Sequence, residues 1–356
     1  MDNYQSVLHQ MEHFGIALRD RDRRDLPDRI RAGRKTTCGA GGKDWYKLHL
    51  WQPDAGGTYV VGSFGTYRHG GDWQKVEIDL APLSEAERAR QAAHRKALAE
   101  AVAIERAAEI ANAMAEAIDI WRKGVRVATT PYLDRKQVQG EAFRALDRQL
   151  SLRWPARKRG DEDVVVRLPA GTTLLPLVRP DLPRDQALRG LQFIKPDGMK
   201  IYLRAFDKPG CCIRLGEIDA ASTALLMVVE GYATGLTARM AVDHQHPVFV
   251  ALDAGNLAEV VRVLRALYPA TRILILADDD YMTRDKRTGA LLNPGRTAAS
   301  RAAKATDGCD LVWPIFKAST RGPKDTDFND LHVLEGLDVV RRQLVAVVDA
   351  MARRYG

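Results

Sequence analysis

At 356 residues the chain is long enough for two or three domains. With 46% hydrophobic and 28% charged residues it reads as globular, and no apolar run approaches the ~20 residues of a membrane-spanning helix. A formal net charge of +8 favours a polyanionic partner as much as it reflects an arginine-rich composition. Cys38, Cys211, Cys212 and Cys309 form neither a disulfide framework nor a CxxC pair. Cys38, His49 and His69 match no common zinc spacing, so no zinc is expected. Without a leader-like start, a reducing cytoplasm is the expected location.

Residues 1–80 read as a small β-rich module. Gly39–Gly42 form a loop, and WYKLHLW, VVGSFGTYR and WQKVEID alternate like strands with glycines at the turns. Aromatic and basic residues mix here, which suits stacking on single-stranded bases beside phosphate contacts. A domain this small needs most of its aromatics for its own core. That leaves Trp45, Tyr67 and Arg68 as candidates for nucleic-acid contact.

Ser84-Glu85-Ala86-Glu87 reads as a capping box that starts a connecting helix over 84–123, about 60 Å long if unbroken and ended by Gly124. Residues 125–220 mix a helix at Pro131–Lys136 with a basic loop, Leu152–Arg159, whose Arg153, Arg157 and Lys158 are further nucleic-acid candidates. Strands follow at Val164–Arg167, Thr173–Leu177, Leu191–Ile194, Met199–Leu203 and Ile213–Leu215, with a turn at Pro196-Asp197-Gly198.

The last third, 221–356, holds four short apolar runs: Leu225–Glu230, Val248–Asp253, Ile273–Asp280 and Leu311–Phe316. Such runs read as strands buried on both faces with helices between them. In open α/β sheets ligands sit at the carboxyl ends of the strands, so the acids that close these runs converge on one edge. Clustered carboxylates repel unless cations sit among them, and oxygen donors suit Mg²⁺. Asp278 and Asp280 share one side of their strand, while Asp279 points away. Gly231 and Thr234 open the helix after Glu230. Asn293-Pro294-Gly295-Arg296 opens another, whose N–H groups and Arg296 could hold a phosphate. Asp325 and Asp327 offer a third acidic contribution, and Asp330 reads as the cap of the next helix.

The series EGYATG, DDD, NPG and KDTDFND resembles the TOPRIM domain of bacterial-type primases, topoisomerases and some nucleases. Glu230 matches the family's strand-end glutamate, Asp278 and Asp280 its Asp-x-Asp pair, and Asp325 with Asp327 the later acidic pair of primases. Gly190–Ile194 with Asp197–Lys200 resembles the segment before TOPRIM in primases of plasmids, phages and integrating elements. Pro131-Tyr132-Leu133 with Lys136 does so too, and WYKLHLW…VVGSFGTYRHG more loosely. The chain departs from the family in lacking the usual primase zinc ribbon and a Walker A sequence.

The resemblance implies an α/β protein: a TOPRIM domain with a parallel sheet flanked by helices, preceded by an α+β primase-core subdomain, the long helix and the β-rich module. It implies a primase that makes short RNA primers on single-stranded DNA from nucleoside triphosphates, with Mg²⁺ or Mn²⁺ and a separate replicative helicase. Glu230, Asp278 and Asp280, with Asp325 and Asp327, would hold metal. Lys200 would act beside them, and Gly231, Thr234, Arg296, Lys200 and Arg204 would meet nucleotide phosphates. The alternatives are a TOPRIM nuclease and an inactive nucleic-acid-binding accessory protein.

Overall fold

The structure, a computed structural model, describes every residue except 33, 54–55, 69–70, 79–84, 155–161, 220–222, 286–288, 318, 320 and 356. Ser84, Arg157 and Lys158 lie outside the described residues. The chain divides into two compact units, Met1–Ala108 and Glu109–Gly356.

The first unit begins with helices α1 (Tyr4–His13) and α2 (Asp20–Ala32). Strands β1 (Lys35–Cys38), β2 (Asp44–Trp51), β3 (Tyr59–Thr66) and β4 (Trp73–Lys75) then form an antiparallel sheet in that order. Alternation puts Tyr46, Leu48, Val60 and Phe64 on one face, packed against Val7, Met11, Leu26 and Ile30 of the helices. Neither helix is evident in the sequence. In α2 (DRDRRDLPDRIRA) only Leu26 and Ile30 mark the apolar stripe, and Pro27 interrupts the pattern.

Helix α3 (Glu85–Lys123) starts in the first unit and ends in the second, where Ala117 and Ile120 join the second unit's core. Helix α4 (Pro131–Lys136) is capped by the Thr130 side chain. It precedes β5 (Arg144–Ala145), the hairpin of β6 (Leu150–Trp154) and β7 (Val164–Leu168), and β8 (Thr173–Val178), β9 (Leu188–Ile194) and β10 (Lys200–Tyr202). Sheet order is β10-β9-β8-β5. The expected basic loop therefore begins as strand β6, with Leu152 paired to Val166.

The remaining elements are β11 (Ile213–Leu215), β12 (Leu225–Val229), α5 (Tyr232–Ala241), β13 (Val248–Val250), α6 (Ala254–Leu267) and β14 (Arg272–Leu276). Then come α7 (Pro294–Lys304), β15 (Cys309–Val312), α8 (Phe328–Glu335) and α9 (Leu337–Tyr355). The sheet runs β11-β13-β12-β14-β15, parallel except for β11. Leu225, Met227, Val229, Leu274 and Leu276 face α5, α8 and α9, while Leu226, Val228, Ile273 and Ile275 face α6 and α7. β12, β13 and β14 are buried throughout, as their apolar runs require. β15 is the exception: it forms an edge and stays half-exposed, so the fourth run is not sandwiched on both faces.

Candidate active site

The sheet order sets where the carboxylates go. From β12 the chain passes to β13 on one side, then crosses to β14 on the other. A crevice therefore opens past the carboxyl ends of β12 and β14, the usual ligand position in such sheets. Glu230 is the first residue beyond β12, Asp278 and Asp280 lie just beyond β14, and Asp327 arrives as the N-cap of α8.

These four acids interact strongly. Burial, then the charges of Asp280 and Asp253, lift Glu230 to about 7 against a hydrogen bond from the Ala254 N–H; Asp327 adds to the rise. Burial, then Asp327, Glu230 and Asp280, push Asp278 well above the carboxylate range, while Lys200 on β10 pulls the other way. Burial, then Asp330, raise Asp327 despite its hydrogen bonds. Glu230 Oε1 and Asp278 Oδ1 are buried with no hydrogen-bond partner. Orphaned buried oxygens are costly, and a bound cation is one way to satisfy them.

Asp279 behaves oppositely. It is buried, yet Asn293 Nδ2 (2.6 Å) and Arg296 (3.3 Å) donate to its Oδ1, and Arg321 donates to its Oδ2 at 2.8 Å. Burial alone would raise its carboxyl; these donors outweigh that and hold it low. Arg321 also lies 3.7 Å from the Tyr281 ring centroid and 4.6 Å from that of Phe316.

Several expected roles change. The N-cap of α8 is Asp327 rather than Asp330: Asp327 Oδ1 accepts from the Asp330 N–H at 2.8 Å, and Asp330 Oδ2 accepts from the Asp327 N–H, a reciprocal box. Asp325 Oδ2 accepts from the Gly322 N–H at 2.6 Å, which commits it to a turn. Thr234 is buried and donates to Asp327 Oδ2 at 3.0 Å, so its hydroxyl orients a carboxylate rather than meeting a phosphate. Gly231 is the N-cap of α5. At α7 the N–H groups proposed for a phosphate are engaged, Gly295 with Asp280 Oδ2 at 3.0 Å and Arg296 with Asn293 Oδ1 at 3.2 Å. A Cβ on Gly295 would lie 2.5 Å from the Asp278 carbonyl oxygen, so only glycine permits this approach.

Lys200 is exposed on β10. Arg204 sits over the Trp154 ring at 5.6 Å, against the β6–β7 hairpin. Arg153 is exposed on β6, 4.0 Å from Asp163. In the first unit Trp45 and Tyr67 lie 6.4 Å apart, with Lys35 Nζ 3.9 Å from one ring and 4.9 Å from the other. Arg68 instead pairs with buried Asp44 at 2.9 Å, so Lys35 is the cation beside these rings.

Sequence reasoning omitted Arg321, Asn293 as a side-chain donor, and the Lys208–Asp253 pair beside Glu230. Asp253 closes one of the four apolar runs and caps α6, which was signal enough. Arg321 had none, being one arginine in a polar loop.

Among the described residues no three acidic, histidine or cysteine side chains already form a closed metal cage. The donor set is nonetheless all oxygen, crowded with negative charge, and holds two partnerless buried oxygens. It fits a hard divalent cation.

Residues 225–338 match the family model of the Toprim domain, and the last third of the chain is a Toprim domain. Over little more than a third of its length the chain is similar to DNA primases. It is 39% identical over 127 residues to a DNA primase TraC of Escherichia coli, covering 35% of this chain and 11% of that protein. To a second DNA primase TraC of the same organism it is 36% identical over 140 residues, covering 38% and 9%. The chain thus spans about a tenth of the length of these relatives. A solved DnaG primase catalytic domain bound to single-stranded DNA is 13% identical, covers 70% of this chain and 82% of its own, and superposes with a TM-score of 0.39.

Proposed function

We propose that the chain is a DNA primase that makes short RNA primers on single-stranded DNA by nucleotidyl transfer. The observation that carries this reading is the meeting of Glu230, Asp278, Asp280 and Asp327 at the sheet's switch point, with oxygens of two of them buried and unpaired. Divalent cations bound there, Mg²⁺ or Mn²⁺, would supply charge neutralisation for a triphosphate and a lowered pKa for the attacking 3′-hydroxyl. The chain's own residues do the rest. Lys200, on the strand facing Asp278, neutralises phosphate charge. Thr234 and the Asp330 N–H orient Asp327, and the Gly295 N–H orients Asp280. Trp45, Tyr67 and Lys35 stack on and neutralise single-stranded template, with exposed Arg153 a further phosphate contact.

The test is incubation of the protein with random single-stranded DNA, four ribonucleotides and Mg²⁺ or Mn²⁺. New short RNA chains, absent with Glu230→Ala or Asp278→Ala, are expected. Shortening of the DNA instead would make the protein a nuclease. Strand binding with no turnover would make it an accessory factor.

A further inference from the structure

A second binding surface lies beside the carboxylates. Helix α7 and edge strand β15 enclose an open groove of about 830 Å³. Its walls include Arg296, Thr297, Ser300, Arg301, Lys304 and Trp313. No carboxylate is among the described residues that line it. Arg301 and Lys304 are exposed, while Arg296 is held at the groove's head between Asp279 and the Trp313 ring, 3.8 Å from its centroid.

The spacing suits an extended ligand. Arg296 to Lys304 is eight residues of helix, about 12 Å of rise. Cations at both ends and hydroxyls between them form a track rather than a point. The phosphates of a single strand recur along its backbone, so more than one would lie within that length. A free triphosphate, with its charge concentrated at one end, would leave half of the track unused. At one end the track meets Asp279, which sits between Asp278 and Asp280.

We infer that this groove binds the sugar–phosphate backbone of a single strand of nucleic acid and leads it to the carboxylate crevice. Thr297 and Ser300 donate to phosphate oxygens between the cations. The inference shares with the proposed function only the premise that the chain binds nucleic acid, and it requires no turnover.

The experiment measures anisotropy of a fluorescein-labelled single strand on the full chain, across a salt series, for wild type and Arg301→Ala/Lys304→Ala. Each phosphate contact adds ~0.7 to the slope of log affinity on log salt, so two lost contacts lower it by about 1.4. At 0.1 M salt that is a loss of roughly 25-fold. Both side chains are exposed, and an unchanged urea midpoint checks that the variant folds. A photoreactive iodouracil strand should crosslink within 294–313 in the wild type. An unchanged slope, or crosslinks confined to other segments, overturns the inference. So does a variant that loses a fluorescent nucleoside triphosphate but keeps the strand, since the groove would then hold a mononucleotide. Loss of strand binding in the variant, with no primer synthesis by the wild type, would sink the enzymatic reading and leave the groove standing.

Discussion

Replacing Glu230 by glutamine should stabilise the protein at alkaline pH while removing its activity. The Glu230 carboxyl titrates at about 7 in the folded chain instead of its ordinary 4.5, because burial and then the Asp280 and Asp253 charges disfavour the anion. A folded-state value above the unfolded one means that the native state binds the proton more tightly. Stability linked to that proton is full below pH 4.5, falls as pH rises, and is lost above about 7. The displacement corresponds to about 3 kcal/mol at pH 8, an upper bound because Asp278 and Asp327 share the repulsion. Glutamine keeps the shape and removes the charge. Urea denaturation followed by circular dichroism should show the variant more stable than wild type by about 1–3 kcal/mol at pH 8 and nearly equal to it at pH 5. Adding Mg²⁺ should narrow the gap at pH 8 by stabilising the wild type, by about 2.7 kcal/mol at a hundredfold excess over Kd. A variant less stable at pH 8, or a gap that does not change with pH, would refute the account of Glu230 as a repelled, cation-seeking carboxylate.

Asp279→Asn should behave in the opposite sense, losing about 3–5 kcal/mol in the same denaturation experiment because mostly buried Arg321 is left without its counter-charge. Thr234→Val, which removes the hydroxyl that holds Asp327, should cost about 1 kcal/mol in stability and lower primer yield, with Thr234→Ser restoring both. Trp45→Ala should weaken single-strand binding by about 1–3 kcal/mol, as measured by fluorescence titration, if a base stacks there; an unchanged affinity would make the Trp45–Tyr67–Lys35 group a purely structural contact.

The parallel sheet was legible because its apolar runs are short, separated by helical sequence and closed by acids. Glu230, Asp278 and Asp280 stood out in that pattern because they close apolar runs, and they lie just beyond β12 and β14. The division of labour within the last acidic loop was not legible. Asp325, Asp327 and Asp330 crowd one short loop, and only the three-dimensional course of the chain decides that Asp327 meets Thr234 while Asp325 closes a turn on Gly322. The charged helix α2 was hidden for a different reason: two apolar residues in a run of arginines and aspartates give too weak a period to separate a packed helix from a solvated segment.

Three aspartates in a row at the end of β14 do two jobs that a single acid could not. Asp278 and Asp280 face the crevice, where the Asp280 charge raises the proton affinity of Asp278 and of Glu230. Left to itself, that repulsion would favour moving the acidic loops apart. Asp279 opposes it. Its side chain takes Arg321, Arg296 and Asn293, its carbonyl takes Arg321 again at 2.8 Å, and its N–H donates to the Thr326 carbonyl at 2.8 Å. Arg321 in turn donates to the Asp325 carbonyl at 3.0 Å. The segment that carries Asp327 is thereby tied to the strand end that carries Asp278, and α7 is tied to the same residue through Asn293 and Arg296. The middle aspartate supplies the attraction that keeps its two neighbours and Asp327 close despite their charge, which is why its carboxyl is held low while theirs, in the case of Asp278 and Asp327, are held high.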